Sequence, residues 1–466
     1  MIATSCPALL LPIVEPLIFN GESFYCTLNK SDVANNSNKC FIMQLLQRRD
    51  AKCFFLITHS GRVGYIGHDM VECFFERKDA VKYFHDLFIK KTGFFWNDRY
   101  CADPIAEKYS YVTMEHEQPA DSITTDSTSA DSQLPQETIK LLDLIFNKDN
   151  FEDFEKEFKL DNTRMPLGTI SKTQIAKARK ILDNIAEIVT SEERNMDLIN
   201  KLSSEFYTVI PTKMTKLLAI AEPDIISAKF ELLDILDNVE ILNCLSKFPK
   251  YETLECMIKP LAPSDPMHTL IYQYMNVNCG IHAAQQYRLT LVHAFQIERY
   301  VETIRFAKWQ NLHNRQLLWH GSRLINYVGI LSQGLHTHSS AMKTGSMFGN
   351  GIYFANCSTK SAGYMTTNSS NIGIMLLCEV ALGNTHNLVN AHKVNELPSN
   401  CHSTYGQGMR TPDKNQQVML NDGLLVPIGN LINSGVDQSS LNYDEYIVYD
   451  PSQICIRYLV MVKRRV

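Results

Sequence analysis

Hydrophobic spacing divides the chain into three regimes. From about Phe19 to Val112, short apolar runs alternate with turns, and residues 39–47 and 53–58 are predicted as strands. Ser60-Gly61-Arg62-Val63-Gly64 then predicts a turn that carries a cation. Ala80, Val81, Phe84, Leu87 and Phe88 recur at helical spacing, so residues 78–91 are predicted as an amphipathic helix. From 134 to about 259 the period is helical throughout. Ile175, Ala178, Leu182, Ile185 and Val189 form one apolar face, and Ile226, Phe230, Leu233 and Leu236 form another. Met165-Pro166-Leu167-Gly168 predicts a turn, with Ser171 as N-cap of the helix after it. Beyond about Pro263, strand candidates at 287–295, 351–355, 372–382, 445–449 and 454–462 alternate with glycine-rich turns. The last is expected to place Ile454, Ile456, Tyr458, Val460 and Val462 on one face.

Between the first two regimes, residues 117–136 are rich in Ser, Thr, Asp and Pro and poor in apolar side chains. Such a stretch cannot bury enough surface to order itself and is expected to be a flexible linker. The organisation predicted is multidomain α+β. It comprises an N-terminal tail (1–18), a small β-rich domain (19–116), the linker (117–133), an all-α bundle (134–260) and a mixed α+β domain with antiparallel sheets (261–466).

Composition narrows this only a little. A chain of 466 residues suits about two to four domains. Its 45% apolar and 20% charged content is that of ordinary globular protein. A net charge of −5 argues against a wholesale nucleic-acid coat while leaving room for a local basic surface. The 13 cysteines are scattered without a C-x-x-C pair, which favours reduced thiols over disulfides or a zinc site. Ala8-Leu9-Leu10-Leu11 is short and flanked by Pro7 and Pro12, so neither a signal peptide nor a membrane span is expected. His336 with His338, and His386 with His392, read as solvated loop pairs, and no metal is expected.

Three separated stretches carry candidate chemistry. Leu317-Leu318-Trp319-His320-Gly321-Ser322 ends an apolar run on His-Gly-Ser. Gly349-Asn350-Gly351-Ile352-Tyr353-Phe354-Ala355 opens a second run on a glycine pair. Asn442-Tyr443-Asp444-Glu445-Tyr446-Ile447-Val448-Tyr449 sets carboxylates at the head of a third. Glycine beside a polar side chain lets a ligand reach bare backbone, whose N–H and C=O can read an amide. Gly349-x-Gly351 lacks the third glycine, the preceding strand and the following helix of a dinucleotide fingerprint, so a Rossmann fold is excluded. Taken singly, His320 reads as a core histidine, Tyr353 as strand packing and Glu445 as a solvated strand end.

Taken together and in this order, the three stretches strongly resemble the poly(ADP-ribose) polymerase family. Residues 165–175 and 205–211 are similar to the helical regulatory domain of its DNA-dependent members. The N-terminal region resembles the WGR domain, with Ser60 in place of the tryptophan and Arg62 kept. The resemblance implies transfer of ADP-ribose from NAD+ to protein side chains, with chain elongation and release of nicotinamide. It implies His320 and Ser322 on the adenosine ribose, the Gly321 backbone and Ser361 on the nicotinamide amide, and Tyr353 and Tyr364 around the nicotinamide ring. Gly329 falls at a further cofactor position, and His336 stands where the family usually has an arginine. Met347 and Tyr443 would face the acceptor, with Lys360 bearing on it. Ser346, Tyr405, Gln407 and Met409 depart from the family pattern. Arg62 would contact DNA ends or nicks. Acceptors would include chromatin proteins and the chain itself, and residence would be nuclear.

The chemistry such a site must perform is definite. Breaking the bond from ribose to nicotinamide expels a neutral pyridine, so strong acid catalysis is unnecessary. Positive charge develops on the ribose, as in glycoside cleavage, and a carboxylate beside the sugar stabilises it. Glu445 is the candidate acid. Strand alternation puts it on the face opposite Asp444, so the two acids need not share a role. Ser358 to Tyr364 reads as a capped helix start, with Ser361 and Tyr364 three apart and hence on one face. A mono-ADP-ribosyltransferase, and a DNA-end-binding scaffold with a weak NAD site, are the competing readings.

Overall fold

A computed structural model describes the chain except for residues 1–9, 20–21, 51, 101–104, 106, 113–133, 148, 151–169, 192, 246–248, 281–286, 338–346 and 466. The chain forms two compact units, one of residues 1–121 and 152–240, the other of residues 122–151 and 241–466. The linker expected at 117–133, the turn at 165–168, His338 and Ser346 lie outside the described residues. No described helix is long and apolar enough to cross a membrane.

The first unit is built on an antiparallel sheet. Its strands run His68–Phe74, Phe54–Arg62, Ser37–Arg48, Tyr25–Asp32 and Ser110–Val112 in spatial order. Helix Arg77–Thr92 drops Ala80, Phe84 and Phe88 onto the Phe24, Met43, Leu45 and Leu56 face, and Trp96 meets Phe84 and Phe88 edge-on at 5.0 Å. Two expectations are corrected here. Val14–Pro16, placed in a tail by the sequence, pairs with Ser37–Arg48 because Val14 is fully buried there. Residues 60–62 are not a turn. They complete strand Phe54–Arg62, opposite Phe41, Cys40 and Lys39, and the ladder overrides the local glycine signal. The reversal comes later, where Gly64 adopts φ +76°.

Helices Lys172–Thr190, Met196–Val209 and Pro223–Leu245 complete this unit as far as residue 240. Ser171 caps the first of them through Gln174 N, and Ile175, Ala178, Leu182 and Ile185 are buried along its apolar face. The sheet grips the second helix and the chain after it by hydrogen bonds. Asn29 Nδ2 donates to the Tyr207 carbonyl at 2.8 Å, Ser31 N to Thr208 Oγ1 at 3.0 Å, and Asn38 Nδ2 to the Thr212 carbonyl at 2.9 Å.

Among the described residues the second unit holds two main sheets and a two-stranded pair, Arg410–Pro412 with Leu431–Asn433. The larger has seven strands, in the order Val418–Met419, Leu425–Val426, Arg315–Gly321, Ile372–Ala381, Ile454–Arg465, Arg288–Glu298 and Met257–Pro260. The smaller runs Ile352–Phe354, Glu445–Val448, Ser403–Gly406 and Thr385–Leu388. Pairing is antiparallel through both centres and parallel at two margins, Gln316 with Leu425 and Thr385–Leu388 with Ser403–Gly406. One core layer contains Leu141, Leu142 and Ile145 of helix Gln136–Ile145 with Tyr327 and Leu331; another contains Ile271, Tyr274 and Met275 of helix Pro266–Val277.

Because both faces of the large sheet are covered, its strands do not keep a single apolar side. Ile454, Ile456, Leu459 and Met461 belong to the first layer, whereas Val460 and Val462 belong to the second, with Tyr458 packed against it. The single face expected for Ile454 to Val462 is therefore wrong. The pairing shifts by one between Leu377–Tyr458 and Cys378–Ile456, and this bulge at Arg457 exchanges the faces.

Candidate active site

The site grows from a seam between the two sheets. Trp319 N donates to the Ala355 carbonyl at 2.8 Å, and Ala355 N returns a bond to the Trp319 carbonyl at 3.0 Å. Trp319 is fully buried, so the strand ending on His-Gly is anchored one residue before the candidate histidine. His320 then meets Phe354, ring centroids 5.5 Å apart, and its Nδ1 lies 2.9 Å from the Tyr353 carbonyl. A carbonyl only accepts, so Nδ1 carries the proton and Nε2 keeps a lone pair. Burial holds this imidazole below its usual pKa, against a smaller upward pull from the Tyr353 carbonyl, which favours the neutral ring.

Gly321 has no room for a side chain, since a Cβ would collide with the Ser361 carbonyl oxygen. Ser361 is itself tied down, donating from Oγ to the Trp319 carbonyl at 3.0 Å. Two further expectations are corrected at helix Ser358–Ala362. Ser358 does not cap it: Cys357 holds the cap position, and the Ser358 hydroxyl donates to the Met275 carbonyl at 2.7 Å. Tyr364 does not share a helical face with Ser361, because the helix stops at Ala362; Ser361 is buried and Tyr364 is 58% exposed.

Tyr353 is held by its hydroxyl, which donates to the Gly349 carbonyl at 2.8 Å and accepts from Phe348 N at 3.0 Å. That loop depends on glycine, with φ +91° at Gly349. The Tyr353 strand, Ile352–Phe354, pairs with Glu445–Val448 in the register Ile352–Val448, Tyr353–Ile447 and Phe354–Tyr446. Glu445 follows at the head of its strand, buried, with Oε1 3.0 Å from Lys360 Nζ. Lys360 Nζ also donates to the Tyr443 carbonyl at 2.6 Å. Among the described residues Glu445 Oε2 is buried without a hydrogen-bond partner. Burial pushes the Lys360 ammonium down, and Glu445 and then Asp444 oppose that shift.

Asp444 faces other partners. Its carboxylate is fully buried and accepts from Gly408 N at 3.0 Å, Asn356 Nδ2 at 2.8 Å and Thr411 Oγ1 at 2.6 Å. Nothing in the motif pointed to this network. The one clue was a polar Asn356 directly after an apolar run. The remaining candidates fall around this corner and beyond it. Ser322 Oγ accepts from Asn326 Nδ2 at 2.9 Å. Gly329 is buried within helix Tyr327–Gln333, and His336 is exposed just past its end. Met347 packs by Phe348, Leu441 and Ile447, and the Tyr443 ring covers Gly280 so closely that a Cβ there would collide.

Arg62 lies in the first unit and is occupied there. Its Nε donates to the Met214 carbonyl at 3.0 Å, Nη1 to the Asn36 carbonyl at 2.8 Å, and Nη2 to Asn36 Oδ1 at 3.0 Å and the Thr215 carbonyl at 2.9 Å. It borders a cleft of about 770 Å³ with Lys30, Asp32, Asn36, Asn38, Lys39 and Ser60. Among the described residues no group of three or more His, Cys, Asp or Glu could hold a metal ion.

Known proteins match this chain along nearly its whole length. The poly [ADP-ribose] polymerase 2 of Arabidopsis thaliana is 33% identical, over 95% of this chain and 74% of its own length. The chain belongs to the poly(ADP-ribose) polymerase family. The poly [ADP-ribose] polymerase 2-A of Oryza sativa subsp. japonica is also 33% identical, over 96% of this chain and 71% of its own. The poly [ADP-ribose] polymerase 1 of Gallus gallus is 36% identical over 95% of this chain, and the chain spans only 45% of that relative. Family models match in chain order: a WGR domain at 24–102, a poly(ADP-ribose) polymerase regulatory domain at 132–266 and a poly(ADP-ribose) polymerase catalytic domain at 269–464.

Proposed function

We propose that this chain is an NAD+-dependent protein poly-ADP-ribosyltransferase, stimulated by DNA breaks and acting in their repair. The observation that carries the reading is the split state of Glu445, one carboxylate oxygen held by Lys360 and the other buried without a partner among the described residues. A buried acceptor left over is costly unless something fills it, and the hydroxyls and developing positive charge of a ribose fill it well.

Each residue then has a task. His320 presents Nε2 as an acceptor to a ribose hydroxyl, with Ser322 beside it. The Gly321 backbone and Ser361 hold the carboxamide of nicotinamide, and Tyr353 and Tyr364 flank its ring. Gly329 and His336 lie toward the adenosine. Glu445 steadies the ribose as the bond from its C1′ to the nicotinamide nitrogen breaks. The bonding pair leaves with the neutral pyridine, and an acceptor oxygen bonds to C1′ as its proton departs. Met347, Tyr443 and Lys360 line the acceptor side. The cleft beside Arg62 takes DNA ends or nicks, and acceptors include chromatin proteins and the chain itself, in the nucleus.

Labelled NAD+ with and without nicked DNA tests this reading. Ladders on a gel that intensify with DNA are the expected result. A single discrete mass shift would make the chain a mono-ADP-ribosyltransferase. No incorporation under either condition would leave a DNA-end-binding scaffold.

A further inference from the structure

Twenty positions separate Cys53 from Cys73, and nothing in their spacing pairs them. The fold does. Strands Phe54–Arg62 and His68–Phe74 are antiparallel neighbours with Phe54 opposite Phe74 and Phe55 opposite Cys73. Cys53 stands one residue before the ladder. Alternation puts it on the same face as Phe55 and Cys73, away from the buried Phe54. The two Sγ atoms are 3.1 Å apart. Cys73 is exposed and Cys53 half-buried, and His68–Phe74 is a terminal strand of its sheet. Main-chain bonding fixes the position of Cys53, whose carbonyl accepts from Arg48 N at 2.9 Å.

We propose that Cys53 and Cys73 form a thiol modification site, closed to an intramolecular disulfide by low-molecular-weight disulfides such as oxidised glutathione. The sulfurs need approach by only about 1 Å to reach bonding distance, with the strand register intact. One cysteine, as thiolate, attacks a sulfur of the oxidant and releases one glutathione. The other then attacks the protein sulfur of the mixed disulfide and releases the second. Two thiols are oxidised, one disulfide is reduced to two thiols, and the two cysteine protons pass to the glutathiones. Burial, and then the neighbouring Cys73, push the Cys53 thiol above its usual value, so closure speeds up as pH rises. The bond would pin the terminal strand to its neighbour and constrain the loop between them. This site stands apart from the transferase reading and does not depend on it.

The full chain should be equilibrated with glutathione at increasing oxidised fraction, then quenched and peptide-mapped. The expected product loses two hydrogen atoms, links the Cys53 and Cys73 peptides, and reverts on reduction. Its first thermal transition rises by several degrees. In Cys53→Ser the link is absent, Cys73 retains a glutathione adduct and the rise disappears. Stable glutathione adducts on both residues of the unmutated chain would overturn the proposal. So would a link that forms only after denaturation.

Discussion

Arg62 and Glu445 are two charged side chains that the sequence singled out for contact with other molecules, and their surroundings differ sharply. Arg62 spends its donors on Asn36, Met214 and Thr215 within its own unit. Glu445 keeps one oxygen without a hydrogen-bond partner among the described residues, in a buried corner. The difference separates a framework group from a poised one. A satisfied guanidinium contributes to the architecture whether or not a ligand comes, whereas under the proposed function the second Glu445 oxygen is left for a ribose to complete.

Substitution at Glu445 should have the largest effect. Glu445→Gln keeps the shape and removes the charge, so kcat should fall roughly a hundredfold to a thousandfold, and the unfolding midpoint should also drop because the buried Lys360 ammonium loses its carboxylate partner. Steady-state kinetics beside thermal denaturation would check this, and an unchanged kcat would erase the contrast. His320→Ala removes the proposed acceptor Nε2 and the Nδ1 donor to the Tyr353 carbonyl. About a tenfold rise in KM for NAD+ should appear in the same assay. Arg62→Ala should cost about 2 kcal/mol in urea unfolding, because several carbonyls lose a charged donor together. If instead stability held while DNA stimulation vanished, Arg62 would belong with the poised groups.

The smallest effect concerns Lys229, whose ammonium lies 5.1 Å from the Tyr207 ring centre. Burial lowers its pKa from 10.5 to about 8. Between those values the unfolded chain binds one more proton than the folded chain, so stability should rise with pH across that window and level off outside it. Lys229→Met should abolish the rise and add about 1 kcal/mol near neutral pH, allowing for partial solvent screening. Denaturation midpoints measured from neutral to alkaline pH would show both.

What could be read from the sequence followed from how local each signal was. His320, Tyr353 and Glu445 each sit inside a contiguous motif, and most strands and helices announced themselves by period. What escaped was decided between segments. The bulge at Arg457 could not be inferred from alternation, because both faces of that strand are apolar. Ser60 to Arg62 look like a turn until their ladder partners are known. The Lys360–Glu445 pair, the three donors to Asp444 and the Cys53–Cys73 approach join residues from distant positions, and no spacing rule encodes them.

The seam at Trp319 and Ala355 has a consequence for how such a pocket can diversify. Its two bonds run between main-chain atoms, so replacing either side chain leaves them available. Only proline, which lacks the donor, deletes one outright. Lineages can therefore rewrite the walls of the pocket residue by residue while its corner stays joined.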